Sequence, residues 1–289
     1  MNTSLRLPLP HVLRRASLAL LVLGAAVPSP AQDAPKETKE QLTVNLSSPN
    51  KPGSLEVGLV NGFIHVSGYN GKAVVIDAAT RPGSSRHSAR ADAPEAGGLK
   101  RLSAGTSLNL TVEEKNNVVE ISTESHVRPV DLTIKVPQNF SLKISTVNNG
   151  DILVENVSGE LEISNVNGPI QLKQVSGSAV ATTVNGNLIA TFKNVNTGAP
   201  MAFSTLNGKV DVTFPSNVKA ALKMKSERGE VYSDFDVAVD KSTPKVTKTS
   251  ENGLTRLSTD DWTRGKINNG GAEVMMKTFN GNIYLRKAK

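Results

Sequence analysis

Between residues 150 and 194 the chain places apolar and polar side chains in a fixed frame. Glycine recurs at 150, 159, 168, 177 and 186, and the residues between follow one template: Gly, any, apolar, any, apolar, any, any, apolar, any. The apolar slots are Ile152, Val154, Val157; Leu161, Ile163, Val166; Ile170, Leu172, Val175; Ala179, Ala181, Val184; and Leu188, Ala190, with Lys193 the one exception. At 38% apolar content, random placement would fill about six of these fifteen slots rather than fourteen, so the frame is a structural repeat. The period-2 pair after each glycine predicts a short strand with one buried face. Each glycine predicts a corner.

The corners alternate in kind: Asn149-Gly150, Ser158-Gly159, Asn167-Gly168, Ser176-Gly177, Asn185-Gly186. Two architectures give such a pattern. A meander of antiparallel hairpins would use Asn-Gly as a type I′ turn, and a β-solenoid would use the corners to wind parallel strands into coils. The alternation favours the solenoid, because an 18-residue coil with two unlike sides stacks Asn on Asn and lets their amides hydrogen-bond along the stack. The expected fold is therefore all-β, a single parallel β-helix-like solenoid of about 18 to 22 residues per coil over residues 55–289. Looser units extend it at Val60 to Gly68, at Thr205 to Gly208 after 22 residues, at Arg228-Gly229 after 21 more, and at Phe279 to Leu285. Residues 81–107 and 240–260 lack the period and read as two projecting loops. No window shows a helical period.

The Val-Asn-Gly and Val-Ser-Gly corners, Ile134 to Asn139 leading into Leu142 to Thr146, the Lys266 to Ala272 stretch, and the terminal Asn280 to Arg286 resemble the bacterial "putative-adhesin" domain family. The resemblance covers about residues 55–289. It implies an exported β-solenoid and carries no catalytic signature. The 81–107 insertion departs from the family pattern.

The N-terminus changes how the charge is read. Residues 1–31 hold Arg6, Arg14 and Arg15 with no acid, an apolar run from Ala16 to Val27, and Ser29-Pro30-Ala31 at the positions a signal peptidase reads, which marks a signal peptide. Twelve apolar residues are too few to span a bilayer, which takes about 20. Of 33 basic residues three lie in this segment, leaving 30 against 26 acids, a net of +4. The mature chain is thus expected in the periplasm, outside the cell or at the cell surface of a bacterium, with no transmembrane segment. Export and the lack of a basic stripe interleaved with aromatics exclude nucleic acid as a partner. Residues 32–54 read as a flexible lead-in with one short strand near Leu42 to Leu46.

The catalytic inventory is sparse. There is no Cys, and His65, His87 and His126 stand at no zinc-ligand spacing. No nucleophile elbow, P-loop or dinucleotide fingerprint occurs, so no catalytic residue, metal or cofactor is expected. Three surface groups remain as candidates. Glu155, Glu160 and Glu162, with Asp151, could supply the paired carboxylates of a polysaccharide hydrolase or lyase, although a solvated face explains them as well. Trp262, the only Trp, could stack on a sugar or simply pack a loop. Lys219, Lys223, Lys225 and Arg228 read as a basic row for anionic polysaccharide or headgroups, or as a solubilising face that discourages edge pairing.

These features point to an exported, non-enzymatic, adhesin-like or scaffolding solenoid of the cell envelope. It is expected to bind an extended partner along its strands, either a cell-surface polysaccharide or an envelope protein. The alternatives are an envelope polysaccharide-active enzyme using the acidic face, and an envelope stress or signalling accessory.

Overall fold

In the computed structural model, the described residues are 39–80, 110–123, 129–148, 150–240, 245–251 and 254–289. The stretch read from the sequence as a signal peptide and the 81–107 stretch read as a loop lie outside them. In chain order the strands are β1 (Lys39–Asn45), β2 (Gly53–Asn61), β3 (Ile64–Tyr69), β4 (Ala73–Thr80), β5 (Leu110–Lys115), β6 (Val118–Thr123), β7 (Val130–Pro137), β8 (Phe140–Asn148), β9 (Ile152–Glu155), β10 (Ser158–Asn165) and β11 (Ile170–Asn185). They continue with β12 (Leu188–Val195), β13 (Met201–Asn207), β14 (Val210–Phe214), β15 (Ala220–Ser226), β16 (Val231–Ser233), β17 (Ala238–Val239), β18 (Lys245–Glu251), β19 (Leu254–Asp260), β20 (Thr263–Ile267), β21 (Glu273–Asn280) and β22 (Ile283–Lys287). The described residues contain no helix and are all-β as expected.

Twenty strands share one sheet that folds into two faces. The first face runs β5–β6–β2–β8–β10–second half of β11–β13–β21–β15–β20–β17, and the second runs β1–β4–β7–β3–β9–first half of β11–β12–β14–β22–β16. Strand β11 belongs to both. It bends where register shifts fall between Leu172 and Ser176, and Gln174 there has φ 53°. The middle of the sheet is parallel and both ends turn antiparallel, at β5–β6 and β1–β4–β7 on one side and at β15–β20–β17 on the other.

Core columns follow from the register. Ile64, Ile152, Ile170, Leu188, Val210 and Ile283 occupy one slot on six neighbouring strands of the second face, all fully buried. Val66, Val154, Leu172, Ala190, Val212 and Leu285 form a second column. Where the repeat supplies small Ala179, Ala181 and Ala190, the next strands bring Phe192, Phe203 and Phe214, whose ring centroids lie 5.2 to 6.4 Å apart. This aromatic cluster fills space that the alanines leave.

The Asn corners at 167 and 185 stack as expected, and the first rung is Asn148, the expected Asn149 lying outside the described residues. Asn167 Nδ2 donates to Asn148 Oδ1 (3.1 Å), Asn185 to Asn167 (2.9 Å), Asn207 to Asn185 (2.7 Å) and Asn280 to Asn207 (2.7 Å). A second ladder lies beneath it. The side chains of Asn165, Thr183, Thr205 and Thr278, each two residues before a corner Asn, donate to the carbonyls of Gly150, Gly168, Gly186 and Gly208 at 2.8 to 2.9 Å. The glycines are required by proximity: a Cβ on Gly168, Gly186, Gly208 or Gly281 would stand 2.1 to 2.2 Å from the carbonyl oxygen of the corner below.

Three expectations need correction. The third apolar slot of the template is buried only at the Ser-type corners, where positive φ at Asn156 and Gln174 breaks the alternation and turns Val157 and Val175 inward. At the Asn corners alternation continues, the ladder residues Asn165 and Thr183 turn inward, and Val166 is left exposed. Second, spatial order departs from chain order. Offsets of 18 and 22 hold from Ile152 through Ile170 and Leu188 to Val210, but the next neighbour of Val210 is Ile283, and Val231 follows beyond it. The last unit is thus inserted between those of residues 201–214 and 220–233, and likewise β2 and β3 sit inside β6 and β7. Third, the 240–260 stretch, expected as a loop, carries β18 and β19, which pair antiparallel with each other in a sheet of their own.

Candidate binding surfaces on the two strand faces

On the first face the pleat sends alternate side chains outward, and the parallel register aligns them in rows that cross the strands. One row reads Glu120, Glu56, Lys143, Glu162, Val180, Ala202, Met275, Lys223, Arg264. It begins acidic, becomes apolar and ends basic. The adjacent row carries Gly58, Ser145, Ser164, Thr182 and Ser204, then Lys277 and Lys225. Ser204 Oγ donates to Thr182 Oγ1 at 3.2 Å, so the hydroxyls link across strands.

Half of the basic group expected from the sequence gathers at the far end of this face. Lys223 Nζ lies 4.8 Å from the Trp262 ring centroid, so that face of the indole holds an ammonium. Lys225 Nζ sits 2.7 Å from both Asp261 Oδ1 and Glu227 Oε1, and its side chain is 18% exposed. The hydrogen bond to Asp261, then that to Glu227, pushes the Lys225 pKa above its ordinary value. Lys219 is exposed just before β15. Arg228 stands apart at the corner after β15, its guanidinium carbon 5.3 Å from the Phe279 ring centroid. Of the four cations, Lys223 and Lys225 therefore share one patch with Trp262, and Lys225 is neutralised within it.

The carboxylates divide between the two faces. Glu160 and Glu162 project from β10 on the first face, whereas Glu155 lies on β9 in the second. There Glu155 Oε1 is 3.1 Å from Lys173 Nζ and its Oε2 is 3.1 Å from His65 Nε2. The Lys173 hydrogen bond, opposed by burial and aided by His65, holds the Glu155 pKa below the usual carboxylate range. His87 and His126 fall outside the described residues. Among the described residues no three His, Asp or Glu side chains gather as a metal site would require.

The second face holds a group that sequence reasoning missed. Asp211, Tyr284 and Tyr232 stand in one outward row on β14, β22 and β16. Asp211 is nearly buried, accepting from Arg286 Nε at 2.7 Å and Nη2 at 3.2 Å and from Lys209 Nζ at 3.1 Å. Burial pushes its pKa up, but the hydrogen bonds from Arg286 and Lys209 outweigh it, so the carboxyl titrates below its ordinary value. The signal was present in the phase of the terminal repeat, which sets Tyr284 in the slot of Asp211; what was lacking was the order of the strands.

Residues 141–286 match the family model described as Toastrack DUF4097, half of the chain. The chain belongs to the Toastrack DUF4097 family. That membership bears out the family resemblance read from the Val-Asn-Gly corners. No curated protein matches this Toastrack chain. Two crystal structures are similar to it: a "putative cell adhesion protein" from Clostridium sporogenes, 13% identical with a TM-score of 0.38 over 88% of this chain and 100% of that one, and a "putative adhesin" from Bacteroides fragilis, 12% identical with a TM-score of 0.41 over 88% and 97%. The Toastrack match begins at β8, so β1 to β7, which extend the same sheet, lie outside it.

Proposed function

We propose that this Toastrack chain is an exported, non-enzymatic, adhesin-like or scaffolding surface of the cell envelope that binds an extended partner along its first strand face. One observation carries the reading. From β2 to β15 the outward side chains stand in register across seven parallel strands, and the row Gly58, Ser145, Ser164, Thr182, Ser204 offers hydroxyls with no large side chain among them. A polymer lying across the strands meets a repeating hydrogen-bonding surface and then the cationic end at Lys277, Lys223 and Arg264. Export rests on the Arg-flanked apolar run of residues 1–31. The enzyme alternative keeps Glu160 and Glu162 side by side on the first face but loses Glu155, which projects from the second.

The test is binding of the purified mature chain to immobilised envelope polysaccharide and to envelope protein fractions. The double variant Ser164→Arg, Thr182→Arg, which places bulk on the hydroxyl row, should weaken binding at least tenfold at unchanged melting temperature. Unchanged binding would remove the first face from the reading. Release of new reducing ends or unsaturated products from a panel of neutral and uronic glycans would overturn the non-enzymatic assignment.

A further inference from the structure

The far end of the second strand face carries a site that does not depend on the first. Inserting β22 between β14 and β16 brings Tyr284 and Tyr232, 52 residues apart, onto adjacent strands. Their rings are stacked with centroids 5.3 Å apart and 11° between planes. Among the described residues strand β16 pairs only with β22, so it is the edge of this face. Tyr232 is 46% exposed, one face of its ring is covered by Tyr284, and among the described residues no strand lies beyond it on the other side. A ring held rigidly on one side and open on the other is a stacking platform already ordered for a ligand.

The groups around it have a particular chemistry. Glu230 accepts the Tyr232 hydroxyl, and Asn282 Nδ2 donates to the Tyr284 hydroxyl at 3.1 Å, so both phenols are fixed from their rims. Arg286 and Lys209 lie 5.1 and 5.9 Å from the Tyr284 centroid. Both are anchored on Asp211, whose side chain is only 10% exposed against 46% for Arg286 and 38% for Lys209. The carboxylate is covered and the cations are presented. Arg286 uses Nε and one Nη2 hydrogen on Asp211, which leaves three N–H groups, and Lys209 keeps two.

We propose that the Tyr232–Tyr284 ladder, with Arg286 and Lys209, is a subsite for an acidic glycan containing uronate units. The apolar face of one pyranose ring packs on the open face of Tyr232. A sugar hydroxyl donates to Glu230, and the carboxylate of a nearby unit receives hydrogen bonds from Arg286 and Lys209. A single-stranded nucleic acid would also stack on the rings and meet the cations. A uronate ring brings hydroxyl donors for Glu230 beside the carboxylate for the cations, whereas the sugar-phosphate backbone of a deoxyoligonucleotide has no hydroxyl donor between its ends.

The experiment is calorimetric titration of the purified chain with hexagalacturonate, with maltohexaose and a short oligodeoxynucleotide as comparison probes. Hexagalacturonate should bind at least tenfold more tightly than maltohexaose. Tyr232→Ala and Arg286→Gln should each weaken it tenfold or more, with Tyr232→Phe close to wild type, and melting curves reported alongside. Because Tyr232 lies on a three-residue edge strand, its replacement should leave the fold intact. The first-face variant Ser164→Arg, Thr182→Arg should bind hexagalacturonate normally, so failure of this proposal and of the previous one are separable. Absent hexagalacturonate binding, equal affinity for maltohexaose, tighter binding of the oligonucleotide, or loss of binding in the first-face variant would each overturn the proposal.

Discussion

A buried slot and its outward neighbour have different jobs in this chain, and single substitutions distinguish them. Ile170 is fully buried between Ile152 and Leu188 in its column, while Gln171 next to it faces outward. Ile170→Ala should cost about 2 to 5 kcal/mol, because strands on both sides hold the cavity open. Gln171→Ala should stay within about 0.5 kcal/mol in the same chemical denaturation measurement. A comparable loss in both would mean that the alternation does not set burial. Gly186 acts differently, through its closeness to the backbone of the neighbouring corner. A Cβ there would sit 2.2 Å from the Gly168 carbonyl oxygen, a contact only a backbone shift relieves, so Gly186→Ala should destabilise by about 3 kcal/mol although no side chain is lost. Gly198, whose nearest would-be contact is at 3.7 Å, should accept alanine at little cost. At this scale the sequence was nearly transparent: the nine-residue frame located the strands and the asparagine stack, and its one systematic miss was the third slot. Val166 and Val184 look like Val157 and Val175 in a hydropathy pattern. What separates them is the left-handed backbone at Asn156 and Gln174, which hydropathy does not encode.

Strand order, more than strand location, decides what each element presents. The Asp211, Arg286 and Lys209 cluster exists only because β22 lies beside β14. Its pH dependence has a definite sign. The folded pKa of Asp211 is depressed, so its contribution is fully present above the unfolded value of about 3.9 and is lost as pH falls through the folded value. Glu155, held down by Lys173 and His65, and Glu114, held down by the backbone N–H of Ser47 and then that of Asn117, act in the same direction. The melting temperature should therefore fall on acidification below about pH 4. The Asp211→Asn variant should be less stable at pH 7 but show a shallower acid limb; equal slopes would show that the carboxylate is not held by its cations. Pairing itself can be read by cross-linking, since the chain has no native Cys. Ser204 and Lys277 are register partners on adjacent strands, about 4.8 Å apart and within disulfide reach. In a solenoid wound strictly in chain order, Ser204 would instead neighbour Lys225, which here lies one strand further on. The pair Ser204→Cys, Lys277→Cys should oxidise readily and the pair Ser204→Cys, Lys225→Cys should not; the opposite result would restore the sequential winding. The sequence placed β22 in phase with β14 but could not say that the two touch, because a repeat fixes the slot each residue takes and leaves the position of the coil along the stack open.

For the whole molecule, this insertion makes the C-terminus an internal part of the sheet. In a chain-ordered solenoid the final coil would be an end cap, and its loss would expose one new edge and little core. Here β21 lies between β13 and β15, and β22 between β14 and β16, so residues 273–287 contribute Val274, Met276, Ile283 and Leu285 to the middle of the buried columns. They also supply the Asn280 and Thr278 rungs of both ladders. Without them β13 and β14 would end in unpaired edges, and β15 and β16 would have no parallel neighbour on which to dock. Such edges are templates for aggregation. The contacts also set an order of events, because strands made earlier in synthesis cannot close around a neighbour that has not yet been made. Long-range closure of this kind is entropically slow, the separation between Val210 and Ile283 being 73 residues. A chain ending at residue 272 should accordingly lose cooperative thermal unfolding and expose apolar surface to a reporter dye, whereas replacing residues 245–260 by a short Gly-Ser linker should leave the transition in place, since among the described residues β18 and β19 pair only with each other. If the chain ending at 272 melts cooperatively near the wild-type temperature and the hairpin deletion does not, the final unit is a cap after all, the ladder runs in chain order, and Tyr232 and Tyr284 are not neighbours on one face.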